Sequence, residues 1–166
     1  MVQQTYRGGG TLVIAFFDYA HEPSLVWWRE EYPKLTDLIE SGQLRLTLLM
    51  YPKPVTRWSV MLPSALFEVR AQTDRRSAWA FHEALVNLDG DYSLDAVAEL
   101  ATDVGADGAD VVAAAKARRR RNQAFADKQF GESTGVETLP AFRWGRDPID
   151  GTSAADIRSF VENRSA

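Results

Sequence analysis

Thr11-Leu12-Val13-Ile14-Ala15-Phe16-Phe17-Asp18-Tyr19-Ala20-His21-Glu22-Pro23-Ser24 changes periodicity halfway along. Thr11 to Phe17 is continuously apolar and β-branched and follows a run of glycines. It reads as a strand buried on both faces, the kind found at the centre of a parallel sheet. Pro23 stands where a helix begins, with Ser24 beside it. Val26, Leu35, Leu38 and Ile39 carry helical spacing onward. Pro33 is expected to kink or divide that helix, and Ser41-Gly42 to end it. Leu44 to Tyr51 alternates as a second strand, stopped by Pro52 and Pro54. Strand, helix and strand within about 40 residues form a βαβ unit, so a right-handed crossover and parallel pairing are expected.

Between Met61 and Phe130 no strand pattern occurs. Leu66, Val69 and Arg70 begin one helical pattern, and Trp79, His82, Leu85 and Val86 continue it or begin another. Asp89-Gly90-Asp91 is a turn. Ser93 caps a helix bearing Leu94, Val97, Ala98 and Ala101 on one face. Gly105 and Gly108 bracket a break, and Asp110 to about Lys128 is expected to be one further helix. Strands return at Pro140 to Trp144 and Pro148 to Asp150, joined by a tight connection over Gly145-Arg146-Asp147. A final helix carries Ile157, Phe160 and Val161 on one face. The expected organisation is α/β in a single domain spanning 1–166, with a β-α-β … β-β-α core over 10–56 and 134–166 and a helical insertion over 57–133.

The chain has 166 residues, 45% apolar and 25% charged, enough for one globular core. It is neither disordered nor a disulfide-stapled mini-protein in composition. Its 23 acids and 19 bases give a net charge of -4, which disfavours nucleic acid as a partner. No segment reaches the roughly 18 apolar residues of a membrane span, and the first ten residues do not fit a signal peptide. The expectation is a cytoplasmic chain, or one written without an export signal. There is no cysteine. The two histidines with no thiolate beside them predict no metal.

The ordered set of motifs resembles the DsbA-like thiol–disulfide oxidoreductases, whose fold is a thioredoxin fold with a helical insertion. Phe16-Phe17-Asp18-Tyr19 is similar to the strand end leading into that family's active site. Tyr32-Pro33-Lys34-Leu35 followed by Gly42 to Leu46 is similar to its first helix and next strand. Trp79 to Leu85 is similar to a helix of the insertion, and Gly135 to Phe142 with Gly145 to Gly151 to the cis-proline segment and terminal hairpin. The departures are chemical. The family places Cys-x-x-Cys where this chain reads His21-Glu22-Pro23-Ser24. Disulfide exchange needs a thiolate at that helix N-terminus and a second thiol to resolve the mixed disulfide, and neither His nor Ser performs those steps. The buried strand carboxylate of the family is Ala15 here, and Leu139 stands where Thr or Val commonly precedes the cis-proline.

The resemblance therefore implies a redox-inactive binding module. The groove between His21–Ser24 and Leu139–Pro140 would hold an extended peptide, a partner protein or a small thiol, and glutathione is the one small ligand it puts forward. The helix N-terminus would favour anionic groups, and Trp28 or Trp58 would form apolar walls. The alternative is that Ser24 and Glu22 only cap and charge the helix start. A second reading is a glutathione-dependent transferase or isomerase, using Ser24 or His21 to orient a thiolate supplied by glutathione. A third is a scaffold subunit, a homodimer through an apolar patch, with a vestigial groove. His82 reads as a half-buried structural residue. A Ser24–His21–Asp18 triad lacks a nucleophile elbow. Lys116 to Arg121 is the one strong basic run. On a helix its arginines would sweep most of the circumference, so at least one must approach an acid or an aromatic ring.

Overall fold

The computed structural model describes residues 5–53 and 55–165, so Pro54, expected to help stop the second strand, lies outside the described residues. Thr11–Phe17 forms β2, at the centre of a five-stranded sheet ordered β1 (Thr5–Gly8), β3 (Leu44–Met50), β2, β4 (Ala141–Trp144), β5 (Asp147–Pro148). β2 and β3 pair in parallel from Thr11↔Leu44 to Phe17↔Met50, as a βαβ unit requires. β4 runs antiparallel to β2, and β5 returns against β4 across Gly145 and Arg146. β1 is an addition to the expected topology. Thr5-Tyr6-Arg7-Gly8 is too short to display a period, and its pairing to β3, Thr5↔Leu48 to Gly8↔Arg45, is non-local.

Pro33 divides the first helical region. α1 (Glu22–Glu30) gives way to a 3₁₀ turn over Tyr32–Leu35 and then α2 (Thr36–Glu40). Gly42, with φ at +74°, takes the left-handed conformation that lets the chain leave α2 for β3.

Five helices follow: α3 (Arg57–Gln72), α4 (Arg75–Asn87), α5 (Leu94–Asp103), α6 (Gly108–Lys116) and α7 (Arg121–Ser133). The N-caps of α3 to α6 are Thr56, Asp74, Ser93 and Asp107, whose side chains accept from the N–H groups of Ser59, Ser77, Ala96 and Asp110. The single helix expected from Asp110 to Lys128 is two. The chain turns between Lys116 and Arg121, with Arg118 at φ 50°. Arg118 to Arg120 thus lie in a turn rather than around a helix, and Arg121 opens α7. Arg119 and Arg120 still reach an acid: both approach Glu68, whose side chain is 8% exposed, at 3.7 and 3.4 Å. Alanine and arginine are good helix formers, so local propensity does not mark this break; the buried carboxylate on α3 anchors it.

The two sheet faces bury different partners. Val13, Ala15 and Phe17 with Leu46, Leu48 and Met50 join the main core under α1, α3, α4 and the C-terminal helix α8 (Ala154–Ser165). Ile14, Phe16, Leu49 and Tyr51 form a smaller core with Val136, Leu139 and Phe130 of α7. Gly131 permits that approach, because a Cβ there would sit 2.9 Å from both Phe16 Cε1 and Tyr51 Cδ2.

Candidate functional site

Where β2 ends, Asp18 turns the chain. It is 2% exposed, and its carboxylate accepts the N–H groups of Ala20 (2.9 Å) and Lys53 (2.8 Å) and the Ser59 hydroxyl (3.0 Å). Burial raises its pKa against the pull of those hydrogen bonds. His21 is the N-cap of α1 through its backbone alone: its carbonyl accepts from Ser24 and Leu25, and its side chain makes no capping bond. Its imidazole is half-buried, and burial lowers its pKa while Asp18 opposes the change. Nδ1 lies 3.2 Å from Ser24 Oγ.

Ser24 is 0% exposed, the third residue of α1, with Pro23 before it. The expectation that Ser24 caps the helix is corrected: the cap is His21, and Ser24 points inward. Glu22 does lie in the first turn, exposed. The Asp18 oxygens hold backbone and Ser59 rather than orienting His21, and Ser24 has no open approach. The three side chains therefore do not constitute a nucleophilic triad. Pro23 lacks an N–H, the next two N–H groups bond His21, and the Glu22 carboxylate is already present. Little of this helix end remains for an external anion.

The surface that does open lies one helical face away. Pro23, Val26, Trp27, Glu30 and Glu31 follow at i, i+3, i+4, i+7 and i+8 and face one way. Between this face and Pro140 and Thr152 is a depression of ≈ 390 Å³. Its floor is Trp27, 5% exposed, whose Nε1 donates to the Thr152 carbonyl at 2.6 Å and whose ring lies 4.8 Å from that of Phe142. The Leu139–Pro140 peptide is cis. A second depression of ≈ 280 Å³ adjoins the first at Pro140 and Thr152 and extends past Thr138 and Glu137. Leu139 buries its side chain in the smaller core, while its backbone N–H and C=O take no partner among the described residues. Leu139 is itself buried and lines neither depression; Thr138, Pro140 and Ala141 beside it line the second.

The two tryptophans expected as groove walls are elsewhere. Trp28 is 5% exposed and stacks on Tyr32 at 4.4 Å, inside an aromatic cluster with Phe17, Trp79 and His82. Both members of the Trp27-Trp28 pair are buried because they fill different layers. Trp58 stands on α3, half-buried against Tyr92 at 5.7 Å, walling a separate depression with Arg57 and Leu94. His82 is fully rather than half-buried. It shares a 2.6 Å hydrogen bond through Nδ1 with the Tyr19 hydroxyl, and burial pushes its pKa down to about 3. It is a neutral packing residue with no access to solvent.

Glu30 and Glu31 went unread in the sequence, Val26 was read only for its helical spacing, and of the adjacent Trp27 and Trp28 the wall was expected at Trp28. The signal was present: a five-residue set at helical spacing containing apolar and acidic members, distinct from the Leu25–Trp28–Tyr32 face that meets the core.

No protein-family model matches the chain, and no curated protein matches it. Solved structures do. BdbD from Bacillus subtilis superimposes with a TM-score of 0.81 at 19% identity, over 96% of this chain and 91% of that one. A thioredoxin-like oxidoreductase from Silicibacter pomeroyi gives 0.77 at 21%, over 98% and 93%. The disulfide bond oxidoreductase DsbG from Mycobacterium tuberculosis gives 0.76 at 14%, over 97% and 86%. At these identities the likeness is one of fold: a DsbA-like thioredoxin fold with its helical insertion, carried by a chain that has no cysteine.

Proposed function

We propose that this chain is a redox-inactive binding module that holds an extended segment of a partner protein in the groove floored by Trp27 and Pro140. The observation carrying this reading is the apolar depression between Trp27 and Pro140, next in sequence to a Leu139 backbone pair that has no partner among the described residues. A segment laid across Pro140 would bond Leu139 as an added strand, and such pairing needs no thiol. The missing cysteines remove both the attacking and the resolving sulfur, so disulfide exchange by the chain's own groups is not available.

Glutathione is the less favoured ligand. It brings carboxylates to a groove rimmed by glutamates, and Ser24, the side chain that would orient its thiolate, is buried. An amide-resolved NMR titration separates the two readings. With a reduced, carboxymethylated and permanently unfolded polypeptide, shifts are expected at Val26, Trp27, Leu139 and Ala141, and none with reduced glutathione. Shifts at Phe17 to Ser24 with glutathione alone would overturn the proposal in favour of a transferase-like enzyme.

A further inference from the structure

The rim of this groove carries one sign of charge. Glu22, Glu30 and Glu31 border the first depression and Glu137 the second. Their neutralisation is incomplete. Glu31 is held by Lys34 (2.7 Å) and by the Ala154 N–H, and Glu22 makes a marginal contact to Arg29 at 3.5 Å, where Arg29 also pairs with Asp89. Glu30 has no partner among the described residues. The Lys53 ammonium is engaged by the Glu137 carbonyl, not its carboxylate. The one cation lining the groove among the described residues, Arg143, is 8% exposed and donates to the carbonyls of Thr134 and Phe142, so it offers little charge outward. Between the glutamates the lining is Pro23, Val26, Trp27 and Pro140.

We infer that the preferred occupant is a basic extended peptide, in which an apolar side chain rests on Trp27 and Pro140 while lysines or arginines near it meet Glu22 and Glu30. The inference rests on the peptide-binding reading above and names its substrate class. In an extended strand, residues two apart share a face about 7 Å from one another. An arginine two positions to either side of a leucine would thus point toward the same surface as the leucine. Like charges would instead be repelled from an unneutralised rim, which provides selectivity by exclusion as well as by attraction.

The test uses three capped heptapeptides, each with a central leucine and, two positions to either side, arginine, glutamine or glutamate. Each is titrated into the full chain and followed by amide shifts and tryptophan fluorescence. Affinity is expected to fall from arginine to glutamine to glutamate, with shifts at Val26, Trp27, Leu139 and Ala141. Glu30→Gln should weaken the arginine peptide about 2- to 5-fold and leave the glutamine peptide unchanged, as for a solvent-facing ion pair. The gap between peptides should shrink at about 0.5 M salt. Equal affinity of all three peptides at these residues would overturn the basic preference and leave the groove reading intact. Shifts by the arginine peptide only at other acidic surfaces, or none by any peptide, would overturn both.

Discussion

Asp127 provides the sharpest test of the packing described above. It projects from α7 onto the end of β3, is 9% exposed, and has one hydrogen bond, accepted from the Met50 N–H at 3.1 Å. Burial pushes its pKa from the ordinary 3.8 up to about 7, against the pull of that bond. Between these values the folded chain holds a proton that the unfolded chain has released. Stability therefore falls as pH rises from about 4 to about 7 and is level above that. A separation of about three pH units, at about 1.4 kcal/mol each, makes the loss about 4 kcal/mol.

His82 acts with the opposite sign. Its folded pKa of about 3 lies below the ordinary 6.5, so the unfolded chain gains the extra proton and stability is lost as pH falls from 6.5. In the wild type the two trends offset one another between about pH 4 and 6.5. Asp127→Asn keeps an oxygen for the Met50 N–H and removes the titration. Urea unfolding monitored by tryptophan fluorescence, at pH steps from 4.5 to 8.5, should give a variant whose stability rises by about 3 kcal/mol relative to wild type across the range. The contribution of Asp18 is common to both proteins and cancels in the difference. Parallel curves for the two proteins, or an Asp127 carboxyl carbon that titrates near pH 4, would refute the assignment of Asp127 as a buried, proton-holding group.

Three further outcomes follow from contacts in the core and the insertion. Gly131→Ala should destabilise by about 1–3 kcal/mol in urea unfolding, because its Cβ collides with Phe16 and Tyr51 by more than helix propensity returns. His82→Phe should cost about 1–3 kcal/mol above pH 6.5, since the buried Tyr19 hydroxyl is left unpaired, and that deficit should shrink below pH 6.5 as the loss owed to His82 is removed. Glu68→Ala should cost about 1–2 kcal/mol and speed hydrogen exchange in the 117–120 turn, where Arg119 and Arg120 lose their shared acid.

The parts of the fold legible in sequence are those in which one short window carries the whole signal. The β2 run, the division at Pro33, the Ser93 cap and the Gly145 hairpin each declare themselves within a few residues. β1 does not, because Thr5 to Gly8 becomes a strand only by meeting the far edge of β3. Nor does the break before α7, where helix-forming residues are bent by a carboxylate some fifty residues earlier, Glu68. At the site, the segments His21–Ser24 and Leu139–Pro140 were legible from the resemblance. What they present was not. Trp28 and Trp27 are neighbours in sequence, and only the rotation of α1 on the sheet decides which lines the groove. Whether Ser24 faces out or in depends on that same rotation.

The sheet's two margins have a bearing on how copies of this molecule meet. One margin is β5, two residues long and ending in Pro148, which can donate no ladder hydrogen bond. The other is β1, four residues long, where the Arg45 and Arg75 guanidinium groups lie 3.8 and 4.1 Å from the Tyr6 ring centre. Short, proline-blocked or cation-crowded margins resist templating by a neighbour. Edge-to-edge polymerisation is thus disfavoured at both rims of the sheet, and concentrated solutions should not gain cross-β order through them. The unpartnered Leu139 backbone described above leads into β4, which lies inside the sheet between β2 and β5 rather than along a rim. A strand docked there, as proposed, would offer the next copy no place to add.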